Sequence, residues 1–421
     1  MKYASLKYNI SMSENEIEET QSHQKRIKSN IGDNIQSIAT EQFLPIVDKR
    51  FNRDALNQVH ENEKFLLIMN GWYTHMPENW PPSESIIPVF IGFHIAENKR
   101  VQELLLNDNS IDYFKKHEPI GCRDKKTAEL LSDRGVKTYY SKCLTLTFPK
   151  REYEPQNGKV FLVDVEDIPI PKNLEQGSLS LTHIVPRFIS DENKILIAKQ
   201  ILDKYKNEAC LVITSRIHCA IPCIAFGIPV IFFGDPDDYR VSILKDLGIE
   251  IYKKSKFLII YNFLKRAEKT VISNKFLWTI FHALSELFRY ILINRKVNWN
   301  PEPVPIENEK AEVIKKTKET LQYIIKKNTK PLFLNLILFL VLVVSLSYII
   351  SDLPKFGEAK ASVDSYVTNY YIKNTDKEIG IPNVVTSVLA SYRGFDTLGE
   401  VVVIFIAGIS VIGILREEYK E

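Results

Sequence analysis

Short apolar runs alternate with amphipathic segments along the first 250 residues of the chain. Residues 65–69 and 89–95 are uninterrupted apolar runs of the kind that form buried strands, and residues 191–206 have apolar positions at helical spacing. Strands that alternate with helices form parallel sheets with right-handed crossovers. The pattern therefore predicts an α/β fold with two Rossmann-like domains, residues 1–150 and 151–327, which face each other across a cleft.

The stretch from 211 to 233 has the pattern strand, turn, helix, strand. Residues 211–213 and 229–233 are apolar and strand-like, and 219–226 are predicted to be helical. Gly227 is predicted to end this helix, with a proline two residues later.

The turn before this helix carries the most distinctive chemistry in the sequence. Thr214 and Ser215 occupy the predicted N-cap, so Arg216 and His218 fall in the first helical turn. That turn has unpaired backbone N–H groups and the positive end of the helix dipole. A guanidinium and an imidazole added there predict an anion site. The alternative is an ordinary strand-to-helix junction with a surface arginine and histidine.

The first half of the chain repeats this design. A short strand leads to Arg123, and Asp124 is predicted to cap a helix at 125–134, which Gly135 ends. Asp33 or Asn34 is predicted to cap an earlier amphipathic helix.

Asn70 and Trp72 directly follow a predicted strand, at 65–69. Loops after parallel strands are where such sheets bind ligands. Packing in the interior is an equally good interpretation of Trp72.

The C-terminal quarter has two long apolar runs. Residues 332–350 carry no charge and span about 28 Å as a helix, and a second run lies near 397–415. Residues 310–330 hold seven lysines and two glutamates, whereas 351–399 hold five basic and six acidic residues. This bias predicts a protein of the cell membrane with its large N-terminal part in the cytoplasm.

Residues 257–293 form an apolar insert that charged side chains interrupt. The insert is either two core helices or an amphipathic hairpin that lies on a membrane face, and we favour membrane contact.

The composition excludes some functions. A net charge of +3 argues against a nucleic-acid-binding protein with a large basic face. The five cysteines form no C-x-x-C pair, which suits reduced thiols in a cytosol. A zinc site from His218, Cys219 and Cys223 is disfavoured because no second pair of ligands follows. We expect no metal.

Several short motifs occur together in one order. They are Gly-Asp-Asn-Ile-Gln at 32–36, Gly-Cys-Arg-Asp at 121–124, Cys-Leu-Thr-Leu at 143–146, Ser-Arg-Ile-His at 215–218 and Gly-Ile-Pro at 227–229. With Trp-Asn-Pro at 299–301, they make residues 1–327 resemble the polysaccharide pyruvyl transferase family. The resemblance implies a glycosyltransferase-B-like fold. It also implies transfer of pyruvate from phosphoenolpyruvate onto paired hydroxyls of a glycan acceptor, as a ketal, with no further cofactor.

The resemblance implies that Arg123, Arg216 and His218 line the donor site. Phosphoenolpyruvate carries a carboxylate and a phosphate, and guanidinium groups bind both bidentately. His218 is a candidate to protonate the methylene carbon or to hydrogen-bond the departing phosphate. Asp33 and Asp124 are alternative candidates for the base that takes the hydroxyl proton, although both also serve as predicted helix caps. We expect Gln36, Asn70, Trp72 and Ser215 to bind substrate as well.

The tail carries a second, unrelated resemblance. Residues 331–421, and above all Arg-Gly-Phe-Asp-Thr-Leu-Gly-Glu at 393–400, resemble the small membrane subunits of multisubunit cation/proton antiporters and membrane-bound hydrogenases. Asp396 and Glu400 lie at the edge of an apolar span, where carboxylates are costly unless paired or hydrated, so we interpret them as functional. An interfacial acidic helix cap is the alternative.

Three functions remain open. The leading one is a membrane-anchored pyruvyl transferase, the second a glycosyltransferase that uses a nucleotide sugar, and the third a subunit of a membrane antiporter or hydrogenase complex. The join between the two parts is either a true gene fusion or a merger of two reading frames.

Overall fold

A computed structural model describes residues 1–8, 28–73, 75–165, 167–253, 257–294, 297–328, 332–351 and 366–418. The chain divides into two compact units, Met1–Thr329 and Lys330–Glu421.

The described strands all lie in the first unit. In chain order the described strands are β1 (Lys2–Lys7), β2 (Lys28–Asn30), β3 (Lys49–Asn52), β4 (Phe65–Trp72), β5 (Ile86–His94), β6 (Ile120–Cys122), β7 (Thr138–Tyr140), β8 (Lys159–Val163), β9 (Leu179–Leu181), β10 (Ile184–Pro186), β11 (Ala209–Thr214), β12 (Val230–Phe233) and β13 (Ile251–Tyr252).

The described α-helices of this unit are α1 (Gly32–Glu41), α2 (Lys99–Leu105), α3 (Asp108–Lys116), α4 (Lys125–Ser132), α5 (Lys172–Glu175), α6 (Asp191–Glu208), α7 (Ile217–Ala225), α8 (Ser242–Asp246), α9 (Phe257–Thr270), α10 (Lys275–Ile293) and α11 (Glu307–Asn328).

Two parallel sheets organise the unit, which confirms the predicted α/β fold with parallel sheets. The first has the order β3-β1-β4-β5-β6-β7 and the second the order β13-β12-β11-β8-β9. All nine residues of β5 are buried, as expected of a central strand that is covered on both faces.

The apolar stretch at 179–185, whose sequence predicts one strand, forms two strands. β9 stays in the second sheet, whereas β10 leaves it and pairs antiparallel with β2. The chain turns between them because Thr182 Oγ1 and the backbone N–H of His183 both donate to the Asp164 carboxylate, at 2.6 and 3.1 Å.

Helix α11 returns from the second sheet to the first half of the chain. Its buried side chains Val313, Leu321 and Ile324 belong to the same hydrophobic core as Ile87 and Leu146. The helix that ends the predicted second domain therefore helps to cover the first sheet.

Two predicted N-caps are wrong. Helix α1 begins after Ile31, without a side-chain cap, and Asp33 and Asn34 lie inside its first turn. Helix α7 has Arg216 itself at the N-cap position, and Thr214 Oγ1 instead accepts from the Arg216 N–H at 3.0 Å. In both cases the backbone N–H of the N-cap residue has an acceptor outside the helix. Ile31 N donates to His183 O at 2.9 Å, as Arg216 N donates to Thr214 Oγ1.

Two other predicted helix ends are confirmed. Asp124 caps α4 by accepting from Thr127 N at 2.8 Å. Gly227 follows α7 with a φ of +78°, a conformation that favours glycine and closes the last turn.

The second unit is helical in its described part. It contains α12 (Leu332–Ser351), α13 (Tyr366–Ile379), α14 (Val384–Ser387), a π-turn at Val388–Tyr392 and α15 (Gly394–Glu418). Helices thus cover the runs predicted to span at 332–350 and 397–415. Among the described residues, however, only Lys275–Ile293 is long and apolar enough to cross a membrane, and Phe339–Tyr348 is a shorter apolar helix. The two spans of the tail stay predictions.

Candidate active site

A cavity of about 190 Å³ opens at the carboxyl ends of strands from both parallel sheets. Six of the nine residues predicted to contact substrate line it: Asp33, Trp72, Arg123, Ser215, Arg216 and His218.

Arg123 reaches the cavity from the end of β6. Its backbone N–H donates to Phe93 O at 2.8 Å, which fixes the main chain beside the sheet. Its side chain is only 3% exposed, and Nε has no hydrogen-bond partner among the described residues. Among the described residues, no carboxylate forms an ion pair with the Arg123 guanidinium. A buried cation without a protein partner is well placed to receive an anion.

His218 occupies the first turn of α7 and is buried. Burial lowers its pKa well below the usual value, and the charge of Arg123 lowers the pKa further. The imidazole is therefore neutral at pH 7. Its Nε2 has no partner in the described part of the chain.

Helices α1 and α7 begin close together. A Cβ on Gly32 would lie 3.2 Å from His218 Cβ and 3.3 Å from His218 Nδ1, so only glycine fits comfortably. Both helix N-termini thus lie at the cavity, where the positive ends of the helix dipoles favour negative charge.

Arg216 forms an ion pair that the sequence did not reveal. Its Nε donates to Asp164 Oδ2 at 2.7 Å. Burial raises the pKa of Asp164, but hydrogen bonds from Thr182 and Arg216 outweigh burial and hold this pKa below its usual value. The terminal nitrogens of Arg216 have no partner among the residues described, so they remain available to a ligand. The position of Asp164 directly after β8 was the one signal in the sequence.

Asp33 is paired with Arg53, a residue that sequence reasoning missed. Arg53 Nη1 donates to Asp33 Oδ2 at 3.0 Å, and Nε donates to Asp54 Oδ1 at 3.1 Å. Arg53 Nη2 also contacts His75 Nδ1 at 2.6 Å. Burial raises the pKa of Asp54, but hydrogen bonds from His75 and Arg53 outweigh this effect and leave the pKa at about 2.

Three predicted substrate residues do not line the cavity. Asn70 Nδ2 donates to Gln36 O at 3.4 Å, so this pair connects β4 to α1. Asp124 is fully buried, where it caps α4 and contacts His94 Nδ1 at 2.6 Å. Burial, assisted by the charge of Arg123, lowers the pKa of His94 to about 4.

The cavity also has wall residues that were not predicted, among them Asn30, His183 and Arg240. His183 Nε2 is held by the Tyr205 hydroxyl at 2.9 Å, and Arg240 is paired with Asp238 at 2.6 Å. They come from separate loops and form no local motif. Over the described ranges, no group of three or more His, Cys, Asp or Glu side chains could hold a metal ion.

The fold and site define an α/β protein with an arginine-lined cavity at the carboxyl ends of strands from two parallel sheets. Residues 30–237 match the family model described as polysaccharide pyruvyl transferase, and residues 341–420 match the one described as the E subunit of MBH. These matches confirm both resemblances. No curated protein matches the chain.

The first match supports a transferase that modifies polysaccharides. The second, together with the apolar helix Lys275–Ile293, indicates membrane association.

Proposed function

We propose that the protein transfers pyruvate from phosphoenolpyruvate to two hydroxyls of a glycan, as a ketal, without a further cofactor. The observation that carries this proposal is the unpartnered, buried guanidinium of Arg123 in one cavity with Arg216 and the first turn of α7. A donor with a carboxylate and a phosphate matches two guanidinium groups and a helix N-terminus.

The reaction balances without an oxidant or a reductant. A proton adds to the methylene carbon and makes C2 electrophilic. One hydroxyl oxygen bonds to C2, the C2–O bond to phosphate breaks, and the second hydroxyl closes the ketal. Of the two hydroxyl protons, one replaces the proton delivered to the methyl group and the other leaves on phosphate.

His218 is our proposed acid. Burial and the charge of Arg123 keep the imidazole neutral, but a bound trianion would stabilise the imidazolium and so raise the pKa of His218. The residue therefore becomes charged only when the donor is present. Its unpartnered Nε2 is the atom that would deliver the proton.

The acceptor occupies a second cavity of about 330 Å³ in this proposal. The two cavities share Asn30, Asp33 and Trp72 as wall residues, and the second one also has His75 and Arg187 in its wall. Trp72 offers a face for a sugar ring, and Asp33 is the proposed base for the hydroxyl proton. Asp124 suits that role less well, because it is fully buried and hydrogen-bonded to its helix and to His94.

The test is phosphate release from phosphoenolpyruvate with a panel of oligosaccharides, with mass spectrometry to detect an acceptor heavier by one pyruvate less one water. Arg123→Ala and Arg216→Ala should each lower kcat/KM by an amount equivalent to about 2–4 kcal/mol. Arg216→Lys should restore part of the loss, because lysine keeps the charge without the fork. Arg134→Ala removes an exposed arginine outside the cavity and is the matched control. Full activity in both cavity variants would exclude this donor site.

The tail is proposed to fix the enzyme in the cell membrane, with residues 1–327 in the cytoplasm. The match over residues 341–420 favours a second candidate, a subunit of a membrane antiporter or hydrogenase complex. A chain that ends at Thr329 keeps the whole first unit, including α11. If the tail is only an anchor, this shortened chain should transfer pyruvate to a water-soluble acceptor at the full-length rate. A folded but inactive shortened chain would refute the passive anchor.

A further inference from the structure

Helices α9 and α10 form a hairpin with polar side chains on its inner face. His282 Nδ1 and Ser285 Oγ contact the two oxygens of Glu268 at 2.8 and 3.1 Å. Arg289 Nη2 donates to Ile170 O at 2.8 Å, which holds α10 against the second half of the unit. Leu258 and Leu292 complete this attachment, because both belong to a core cluster with strands of the second sheet.

The outer face of the hairpin is apolar and exposed. In α10 the exposed apolar positions recur every three or four residues and so form one stripe. Ile259 and Phe263 of α9 extend this exposed apolar surface. The side chain of Phe276, in α10, is 74% exposed. The stripe of α10 consists of Phe276, Ile280, Leu284, Leu287 and Ile291.

This arrangement reverses the polarity of an ordinary surface helix, which buries its apolar face and exposes its polar one. A continuous exposed apolar face of this size marks an interaction surface. The charges identify what it contacts. In residues 258–294 the exposed charged side chains are Arg266, Lys269 and Lys275, all basic. Both acidic residues of the segment are turned inward, since Glu268 and Glu286 pair with Lys265 at 3.2 and 3.8 Å.

Exposed apolar side chains with basic residues near the hairpin turn match the surface of an anionic lipid bilayer. We infer that the α9–α10 hairpin lies in the plane of such a surface and inserts its outer side chains into it. This contact adds to any anchoring by the tail, and it does not depend on pyruvyl transfer.

Helix α10 is long and apolar enough to span a bilayer, but its contacts argue against that orientation. Crossing would carry Glu286 and Arg289 into hydrocarbon and would break their ion pairs with Lys172 and Glu175. A helix in the interfacial plane keeps these pairs and immerses only its outer stripe, to about 5–10 Å.

The test uses the full chain in vesicles of phosphatidylcholine and phosphatidylglycerol. All five cysteines lie in the described ranges and Cys210 alone is exposed, so a Cys210→Ser background allows single nitroxide labels. Labels are placed by Phe276→Cys, Leu287→Cys and Tyr290→Cys, with Tyr153→Cys as the control at a position that is 82% exposed. Accessibility to oxygen and to a water-soluble nickel chelate gives the depth of each label.

We expect the three hairpin labels at a similar shallow depth and the control label in water. A spanning helix would instead separate the labels at 276 and 290 by about 21 Å in depth, because they are 14 residues apart. Labels shielded from both reagents would indicate a second copy or another protein on this face. Labels that are all in water would refute membrane contact. Unchanged depth in pure phosphatidylcholine would overturn the part of the inference that concerns anionic lipid.

Discussion

Two buried arginines beside the cavities are expected to respond in opposite ways to replacement by methionine. Arg123 is 3% exposed, and its guanidinium has no hydrogen-bond or ion-pair partner among the described residues. Arg53 is 4% exposed but is fully engaged by Asp33, Asp54 and His75. The two replacements therefore compare a buried cation without a protein partner and a buried cation whose contacts stabilise the fold.

The magnitudes follow from these contacts. A buried polar group without a partner lowers the free energy of unfolding by about 1–3 kcal/mol. Arg123→Met should therefore raise the free energy of unfolding, measured without phosphoenolpyruvate, by an amount of that order. Methionine keeps most of the side chain's volume and packs adaptably. Arg53→Met leaves two buried carboxylates uncompensated and should lower the free energy of unfolding by about 3–5 kcal/mol.

The assay is denaturant unfolding at pH 7, with and without phosphoenolpyruvate. At 100 times its Kd, a ligand that binds only the folded state stabilises by about 2.7 kcal/mol, and the unsubstituted protein should show this increment. Arg123→Met should lose it. The variant would thus be more stable than the natural protein without the ligand, and the ligand would nearly cancel or reverse that difference.

Two results would refute this reasoning. Destabilisation of the ligand-free Arg123→Met protein would mean that the guanidinium has a structural partner. Retention of the full increment would mean that the donor binds without Arg123.

Three further predictions concern His218, His94 and the tail. His218→Gln should reduce turnover about 10²–10⁴-fold with a much smaller change in donor affinity, and an equal loss of both would make His218 a binding residue. The pKa of His94 is about 4 in the folded protein against 6.5 for a free side chain, so the unfolded chain binds more protons between these values. Stability should therefore fall by about 3 kcal/mol as the pH drops from about 6.5 to about 4; His94→Gln should flatten this part of the curve, and an unchanged slope would place the titration elsewhere. Glu400→Gln should leave pyruvyl transfer unchanged if the tail only anchors the enzyme, whereas impaired cation/proton exchange in reconstituted vesicles would support the antiporter-subunit alternative.

The sequence predicted those parts of the fold and site that depend on local pattern. Period and run length identified the parallel sheets, and the strand–turn–helix pattern placed Arg216 and His218 at the N-terminal end of α7, although Arg216 is the N-cap and only His218 lies in the first turn. The missed residues, Asp164, Arg53 and His183, lie far apart in the sequence. Asp164 pairs with Arg216, Arg53 pairs with Asp33 and His183 lines the cavity, and each of these contacts is made only by the tertiary fold. Local sequence patterns do not indicate contacts between residues that are this far apart in the chain.

The errors have the same origin. Asp33 was expected to cap a helix because of its residue type, but the preceding chain pairs with β10 and supplies a different entry to α1. The substrate roles expected of Gln36 and Asn70 stay predictions, although neither residue lines the cavity and their contact joins a helix to a strand. A motif does not distinguish a residue that touches a ligand from one that positions its neighbours.

The two halves of the first unit are joined by contacts that do not involve the cavity's cations. Strands β2 and β10 pair across the halves, and α11 packs on the first half while Lys310 donates to Ala225 O, in the last turn of α7, at 3.0 Å. These contacts hold Arg123 from one sheet and Arg216 from the other at one cavity despite their like charge. Lys310 also places positive charge at the end of α7 opposite the anion site, which complements the helix dipole. The cationic groups are thus positioned before any ligand arrives, so an anion that enters the cavity gains their attraction without having to reorganise the protein.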